Sequence, residues 1–305
     1  MLPRCYACLA LLLMAAALQL TAESPDRKPS NVKTKTPQFD KILRRAERGE
    51  SLAQFQLGLA YETGDGITQD YVEARRWYTK AGNAGDTSAQ NNLGVLWANG
   101  LGGERDDREA LRWYQRAALS GQPAAQNNLA FMYSTGRGTK VDLEEALRWY
   151  QKAAEQKFPP AETNLAYFYR VGRGVPPDEA RAAAWYKRAA EAGYAPAQEY
   201  LATMYSEGRG VAKDLEQTVL WLHRAAEHGL ATAQTNLGFA YEHGRGVKQD
   251  YSESLRWYRQ AAAQGQPEAQ KNVAALERRL RDHADEANDG IASTARGLGL
   301  KTPQN

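Results

Sequence analysis

Apolar and aromatic residues recur along this chain with a fixed period of thirty-six residues, so that the sequence superimposes on itself when it is shifted by one period. The tryptophans that keep this step are Trp77, Trp113, Trp149, Trp185, Trp221 and Trp257. Alanines keep it as well, from Ala53 to Ala269. A period of this length is typical of stacked helical repeats, in which each repeat buries its apolar face against its neighbours. The pattern therefore predicts an all-α repeat array.

The first half of each period predicts a helix, which we call helix A. In the third period Ala125, Leu129 and Tyr133 recur at i, i+4 and i+8, which places them on one face of that helix. A Gly-x-Gly turn follows helix A in every period, and glycine is the usual residue just past the end of a helix.

The second half of each period predicts helix B, which begins at an aspartate in every copy. These aspartates are Asp70, Asp106, Asp142, Asp178, Asp214 and Asp250. Glu or Gln stands three residues later in five of the six copies, which predicts a capping box, and Arg181 breaks the pattern. Helix B then ends at a glycine. Lys157 replaces that glycine once, which predicts a strained or differently shaped turn.

The alanines of helix B let neighbouring helices approach closely, and the tryptophan and tyrosine rings are predicted to fill the space between layers as core. Six complete pairs of helices A and B span about residues 51–266. A lone half-repeat helix that begins at Phe39 precedes them, and a capping helix follows. The repeat solenoid is therefore expected to cover residues 39–283.

Both ends of the chain differ from the repeats. Arg4 and the apolar run Ala7–Leu20, followed by Thr-Ala, are typical of a cleaved signal peptide over residues 1–22. The run is too short for a membrane span of ~20 residues. Residues 23–38 are polar and contain prolines, which predicts a flexible linker, and residues 284–305 predict a disordered tail.

The composition of the chain argues against several classes of function. Both cysteines lie inside the predicted signal, so the mature chain has no disulfide and no thiolate ligand for a metal. A formal net charge of +3 argues against a nucleic-acid binder, and no second apolar run of spanning length follows. No Asn-x-Ser/Thr acceptor occurs, which favours the bacterial periplasm over a secreted or ER-lumenal location.

The repeated motifs Leu-Gly-x-x-Tyr, Gly-x-Gly-Val and Asp-x-x-x-Ala-x-x-Trp-Tyr-x-x-Ala-Ala-x-x-Gly resemble those of the Sel1-like repeat family, a branch of the tetratricopeptide-like solenoids. The resemblance covers roughly residues 51–270. It implies a right-handed α/α superhelix that acts as an adaptor for protein complexes, often in bacterial envelope signalling or in eukaryotic ER quality control. The resemblance implies no catalytic residue.

Residues suited to catalysis or metal binding are few. His223 and His228 stand five apart, so they do not share a helix face as a metal pair would. Neither a Gly-x-Ser-x-Gly motif nor a phosphate-binding glycine loop is present. We therefore expect no cofactor, no metal and no enzymatic activity. An enzyme would need a pair of carboxylates that converge on one surface, which a single sequence does not reveal.

An arginine stands in the middle of four successive Gly-x-Gly turns and would line one rim of the array. These residues are Arg137, Arg173, Arg209 and Arg245. Such a row could bind a surface glycan or a lipid phosphate, although the near-neutral overall charge of the chain argues against a site for polyanions. The alternative function is therefore a protein that binds or processes cell-wall or surface glycans.

Helix A offers the more informative candidate site, on the face opposite its repeated leucine. Two residues after that leucine stand Leu59, Val95, Phe131, Tyr167, Thr203 and Phe239, and one residue before it stand Gln56, Asn92, Asn128, Asn164, Tyr200 and Asn236. In tetratricopeptide-like superhelices such positions tend to line the inner, concave surface. We expect Phe131, Tyr167 and Phe239 to anchor a partner, Asn128 and Asn164 to bond its backbone, and Arg170 to hold an acidic group.

Packing between adjacent A helices is the other interpretation of these side chains. For the aromatics both interpretations remain open, whereas for the asparagines packing is favoured. The sequence as a whole predicts an exported, non-enzymatic scaffold that binds another protein or a peptide, in bacterial envelope regulation or assembly.

Overall fold

The computed structural model describes the backbone of residues 37–297 and the side chains of residues 37–283. The predicted signal peptide, nearly all of the linker and residues 298–305 lie outside the described residues. The described part contains fourteen α-helices and no strand. In chain order they are α1 Pro37–Glu47, α2 Ser51–Thr63, α3 Tyr71–Asn83, α4 Thr87–Asn99, α5 Asp107–Leu119, α6 Pro123–Thr135, α7 Leu143–Glu155, α8 Pro159–Val171, α9 Glu179–Glu191, α10 Ala195–Glu207, α11 Leu215–Glu227, α12 Ala231–His243, α13 Tyr251–Ala263 and α14 Pro267–Gly297.

Even-numbered helices from α2 to α12 are the predicted A helices, and odd-numbered helices from α3 to α13 are the B helices. The chain divides into two compact units, Met1–Ala189 and Ala190–Asn305. Within each unit a helix packs mainly on the helices next to it in sequence, and most extensively on its partner in the same repeat. This packing of consecutive helices confirms the predicted all-α repeat fold.

The aspartate caps of helix B are confirmed, but the capping box is only half formed. The Asp70 carboxylate accepts hydrogen bonds from the backbone N–H groups of Val72 and Glu73. Glu73 does not reach back to the cap, because its carboxylate pairs with Arg76 at 3.2 Å. The N–H of Asp70 donates instead to the carbonyl of Tyr61 at 2.9 Å, which ties the start of helix B to the preceding helix A.

The Gly-x-Gly turn needs its second glycine because two repeats approach closely there. Gly138 has a φ of +68°, and a Cβ on it would lie 2.2 Å from the carbonyl oxygen of Asp107. Asp107 begins helix B of the preceding repeat. The glycine therefore allows the turn of one repeat to lie directly on the first turn of helix B of the repeat before it.

The Lys157 turn keeps the backbone hydrogen bond of the glycine turns, although its φ of +58° is smaller than the +88° of Gly121. Lys157 donates its N–H to the carbonyl of Ala154 at 2.9 Å. Gly121 makes the equivalent bond to Ala118 at 3.0 Å. The lysine therefore occupies the left-handed region that glycine adopts without steric cost, so strain at this turn stays a prediction.

In five of the six repeats the most deeply buried ring is the tyrosine that follows the tryptophan, and in the fifth repeat Leu222 takes its place. Tyr78, Tyr114, Tyr150, Tyr186 and Tyr258 are all at most 2% exposed. The prediction of a tryptophan core holds for Trp77, Trp221 and Trp257, which are buried, whereas the tryptophans of the second to fourth repeats are only partly buried.

Trp149 shows why these rings are less buried. It packs against the clusters of both the second and the third repeat, so it lies at the seam between them. The Lys152 ammonium lies 4.2 Å from the centre of its ring, as a cation–π contact on the solvent side.

The capping helix is longer than predicted. α14 begins at Pro267 and its backbone continues to Gly297, whereas a disordered tail was expected from residue 284. Ala269 and Leu276 are buried and anchor its first half. Alanine recurs in residues 284–297, and its high helix propensity lets a helix continue. Within residues 37–297 no helix has both the length and the apolar character needed to span a membrane.

Candidate functional site

Each A helix leaves one line of side chains accessible. In α6 the line consists of Ala124, Asn128, Phe131 and Thr135, all partly exposed, while Leu129 on the opposite face is buried. The four positions follow one another at i, i+4, i+7 and i+11, which forms a single stripe along a helix. We call the corresponding positions of all six A helices the helix A stripe.

In the first unit this stripe carries no charge. Its sixteen members are Leu52, Gln56, Leu59, Thr63, Ser88, Asn92, Val95, Asn99, Ala124, Asn128, Phe131, Thr135, Pro160, Asn164, Tyr167 and Val171. A quarter of the chain (25%) is charged, so an accessible stripe without any charge stands apart from an ordinary solvated surface.

Apolar members of the stripe occur in every A helix of the first unit. Leu52 and Leu59 are 57% and 37% exposed, and Val171 at the other end of the unit is 43% exposed. Beside Leu59, a cavity of ≈ 530 Å³ lies between α1 and α2, with Phe39 and Ile42 in its wall. Exposed apolar surface of this continuity is typical of an interaction site.

Two asparagines of the stripe each donate to a buried asparagine of the preceding A helix. Asn128 donates from Nδ2 to Oδ1 of Asn91 at 3.0 Å, and Asn164 donates in the same way to Asn127 at 2.9 Å. These bonds join neighbouring A helices, in agreement with the packing role that the sequence favoured for the asparagines. Each uses one of the two amide N–H donors, so both asparagines have a structural role and lie at the edge of the stripe.

Phe131 and Tyr167 occupy the same position of the stripe in α6 and α8, the A helices of adjacent repeats, and both are partly buried. The Arg170 guanidinium lies 5.4 Å from the centre of the Tyr167 ring. It also lies next to the hydroxyl of Tyr186. Burial raises the pKa of Tyr186 to about 12, and the nearby Arg170 opposes that rise.

Phe239, the third predicted anchor, belongs to the second unit. Its ring stacks on His243 with 4.2 Å between the ring centres, and the Arg245 guanidinium lies 5.7 Å from its centre. Two of the predicted aromatic anchors therefore lie together on the stripe of one unit, and the third has other neighbours in the second unit.

The arginines of the Gly-x-Gly turns in the first unit are used inside the fold. Arg137 pairs with Asp107 at 2.6 Å and donates to the carbonyl of Ala98 at 2.8 Å, and Arg173 donates to the carbonyl of Ser134. Both arginines thus satisfy carbonyls at the end of the preceding A helix, which have no partner within that helix. A row of free cations, as the glycan alternative requires, is not present on the described part of the first unit.

Acidic side chains of the A helices are buried in two different repeats. Glu62 in α2 accepts a hydrogen bond from Tyr78 at 2.5 Å, and Glu162 in α8 pairs with Arg188 at 2.9 Å. Burial raises the pKa of both carboxyls, and the partner in each case opposes that rise. Among the described residues no group of His, Cys, Asp or Glu side chains is arranged to hold a metal ion.

Glu199 in α10 is the polar residue that sequence reasoning missed. Its carboxylate accepts a hydrogen bond from the hydroxyl of Thr232 at 2.9 Å and another from the amide of Asn236 at 3.4 Å. Burial raises its pKa, and the bond from Thr232 opposes the rise. A signal was present in the sequence, because the fifth position of helix A is uncharged in the other five repeats.

Tandem helix pairs with an accessible stripe define an α/α repeat protein, a class that typically serves as a protein-interaction scaffold. The chain belongs to the Sel1 repeat family, whose model matches six consecutive segments at residues 51–86, 87–122, 123–158, 159–194, 195–230 and 231–266. The six predicted repeats are thereby confirmed.

Solved structures of bacterial repeat proteins are similar to this chain. One is a protective antigen present in uropathogenic Escherichia coli strains, which displays the same fold, with 38% identity, a TM-score of 0.66 and 78% of this chain covered. The match spans 51% of that antigen, about half of its length. Another is a Sel1 repeat protein from Oxalobacter formigenes, with 28% identity and a TM-score of 0.66, covering 74% of this chain and 97% of that protein. No curated protein matches this chain in sequence.

Proposed function

We propose that this protein is an exported, non-enzymatic scaffold that binds a segment of another protein on the helix A stripe of its first unit. The observation that carries the proposal is the absence of charge along that stripe, combined with accessible apolar side chains in each of its four helices. Proteins of the Sel1 repeat family are generally non-catalytic scaffolds, and this agrees with the proposal.

Phe131 and Tyr167 are the proposed anchors. Truncation of aromatic side chains at the centre of an interface typically costs more than ~2 kcal/mol of binding free energy, because they fill pockets from which water is excluded. Asn128 and Asn164, which each retain a second amide N–H, would bond the backbone of the bound segment. Arg170, whose guanidinium lies beside Tyr167, would hold an acidic group at the edge of the stripe. Phe239 would add a contact in the second unit.

The proposed chemistry of the ligand follows from the same surface. A charged side chain brought onto an uncharged stripe loses its water without gaining a counter-charge, which is unfavourable. The segment that faces Phe131 and Tyr167 should therefore carry apolar and uncharged polar side chains.

Export and a role in the bacterial envelope belong to the proposal as well. The N-terminal pattern of residues 1–22 supports export. The Escherichia coli relative described as a protective antigen shares 38% identity with this chain, which also supports an exported location. Within the envelope we propose a part in regulation or assembly.

Photo-crosslinking in the cells that make the protein tests the binding surface. A benzophenone amino acid replaces Thr135 on the stripe or, as a control, Arg112, which is exposed on helix B of the same unit. We expect the Thr135 probe to capture a defined protein that mass spectrometry identifies, and the Phe131→Ala/Tyr167→Ala variant to lose it. Equal capture from both positions, or no capture from Thr135, would contradict the proposal.

A further inference from the structure

Glu199 differs from the residues that occupy the same place in other repeats. In two repeats of the first unit that place is held by Asn91 and Asn127, whose side-chain oxygens accept an amide hydrogen bond from the next A helix. In the second unit Glu199 accepts the corresponding bond from Asn236. A neutral oxygen serves this contact equally well, so the negative charge of Glu199 is not required for the packing of the A helices.

The surroundings of Glu199 do not neutralise that charge. Its two hydrogen-bond donors, Thr232 and Asn236, are both uncharged. No lysine, arginine or histidine of the described chain forms an ion pair with it, in contrast to Glu162, which pairs with Arg188. Burial raises the pKa of Glu199, and no neighbouring cation opposes that rise. An ionised carboxylate that has lost part of its water is stabilised most effectively by a cation.

The carboxylate is nevertheless within reach of a ligand. Thr232 and Asn236 are the second and sixth residues of α12, which are positions of the helix A stripe, and Asn236 is exposed. Glu199 itself is only partly buried. Its carboxylate therefore lies at the edge of the stripe of the second unit, with lone pairs beyond the two that already accept bonds.

We propose that the Glu199 carboxylate, held by Thr232 and Asn236, binds one cationic side chain of the partner protein, the guanidinium of an arginine or the ammonium of a lysine. This inference rests on the proposed function, because it assigns a charge to the segment that the scaffold binds. A charge-assisted bond to a partly desolvated carboxylate is stronger than one between neutral groups, and it would add specificity to the binding of the partner protein.

The first test is an NMR titration of the full chain with capped amino acids. The probes are N-acetyl-arginine amide and N-acetyl-lysine amide, with N-acetyl-citrulline amide and N-acetyl-norleucine amide as uncharged controls of similar shape. We expect saturable shifts at Thr232 and Asn236 with the cationic probes and at least about tenfold weaker binding of the neutral ones. A larger response to the arginine or to the lysine probe shows which side chain the site prefers.

Glu199→Gln is the matched variant, because it keeps an oxygen acceptor and removes the charge. We expect it to abolish the preference for cationic probes and to leave the fold intact. Equal shifts with charged and neutral probes, an unchanged response in Glu199→Gln, or no saturable shift up to the solubility of the probes would each overturn the inference.

Peptide selection separates this inference from the proposed function. A random phage-displayed library is panned on the wild type, on Glu199→Gln and on Phe131→Ala/Tyr167→Ala. If the inference is right, wild-type peptides carry a basic residue at a fixed place, and peptides selected on Glu199→Gln lack it. Peptides that need Phe131 and Tyr167 but are indifferent to Glu199 would support the proposed function and refute this site. If no peptide is selected, the proposed function loses support, and the NMR titration still tests whether Glu199 binds a cationic side chain.

Discussion

Replacement of Lys157 by glycine should stabilise the protein. Lys157 is exposed and adopts a φ of +58°, while its turn has the same backbone bonds as the glycine turn at Gly121. A side chain in this left-handed conformation costs roughly 1–2 kcal/mol, because Cβ comes too close to the following carbonyl oxygen. Glycine removes that cost.

Two smaller terms reduce the gain. Glycine makes the unfolded chain more flexible, which lowers stability by about 0.4–1 kcal/mol. Lys157 also lies near the buried carboxyl of Glu162, and its charge lowers the pKa of that carboxyl, so its removal weakens an attraction. The net expectation is a stabilisation of up to about 1 kcal/mol, or a rise in Tm of up to about 4 °C for a chain of this size.

Calorimetry and thermal melting of three variants measure the effect. Lys157→Gly removes both the strain and the charge, whereas Lys157→Ala removes the charge and keeps the strain, so their difference isolates the backbone term. Gly121→Lys is the reverse control, because a Cβ on Gly121 would meet no atom within 4 Å and its cost would be conformational alone. If Lys157→Gly melts no higher than Lys157→Ala, or Gly121→Lys melts like the wild type, the reasoning from left-handed strain is wrong.

Three other predictions test the core, the stripe and Glu199. Tyr150→Ala should lower the free energy of unfolding by ~3–5 kcal/mol, and Trp149→Ala should lower it less, because Tyr150 is 0% exposed and Trp149 is partly exposed. Denaturant unfolding that ranks the two variants the other way would contradict this. Phe131→Ala/Tyr167→Ala should weaken partner binding by ~2–4 kcal/mol in a calorimetric titration while lowering Tm less than Tyr150→Ala does, and a Tm that collapses with unchanged affinity would show that the rings are core. Glu199→Gln should melt higher than the wild type at pH 7 and at the same temperature as the wild type at pH 4. The reason is that a carboxyl whose pKa is raised on folding above 4.5 stabilises the fold below its unfolded pKa and loses that stabilisation as the pH rises. A gain in Tm that is the same at both pH values would refute this.

The binding surface could be predicted from the sequence only in part. The positions of the stripe follow from helical periodicity, so Phe131, Tyr167 and the asparagines were found by counting residues. Their partners were not predictable, because the bond from Asn128 to Asn91 joins residues on two helices that are far apart in sequence. Arg170 was assigned to a ligand, and the structure shows that it also lies beside the hydroxyl of Tyr186 in the next helix.

The difference in burial between the tryptophans and the tyrosines could not be predicted from the sequence either. Both rings recur with the repeat, so periodicity alone predicts that both are core. Their burial depends on which way each side chain leaves helix B. Tyr150 packs toward the following repeat, where its ring lies 5.2 Å from that of Phe168, while Trp149 covers the seam to the preceding repeat and carries Lys152 on its outer side.

The sequence by itself determined the number of repeats, through the thirty-six-residue period. It also determined the aspartate caps, the glycine ends and the positions of the stripe, because each of these depends on residues within a few helical turns. Only the tertiary structure decided that Lys157 keeps the backbone hydrogen bond of the glycine turns, that Arg137 and Arg173 serve carbonyls of the preceding helix, and that Glu199 lacks a cation. These outcomes depend on contacts across tens of residues. The energy of such a contact is set by burial and by the neighbouring helix, neither of which is visible in a single period.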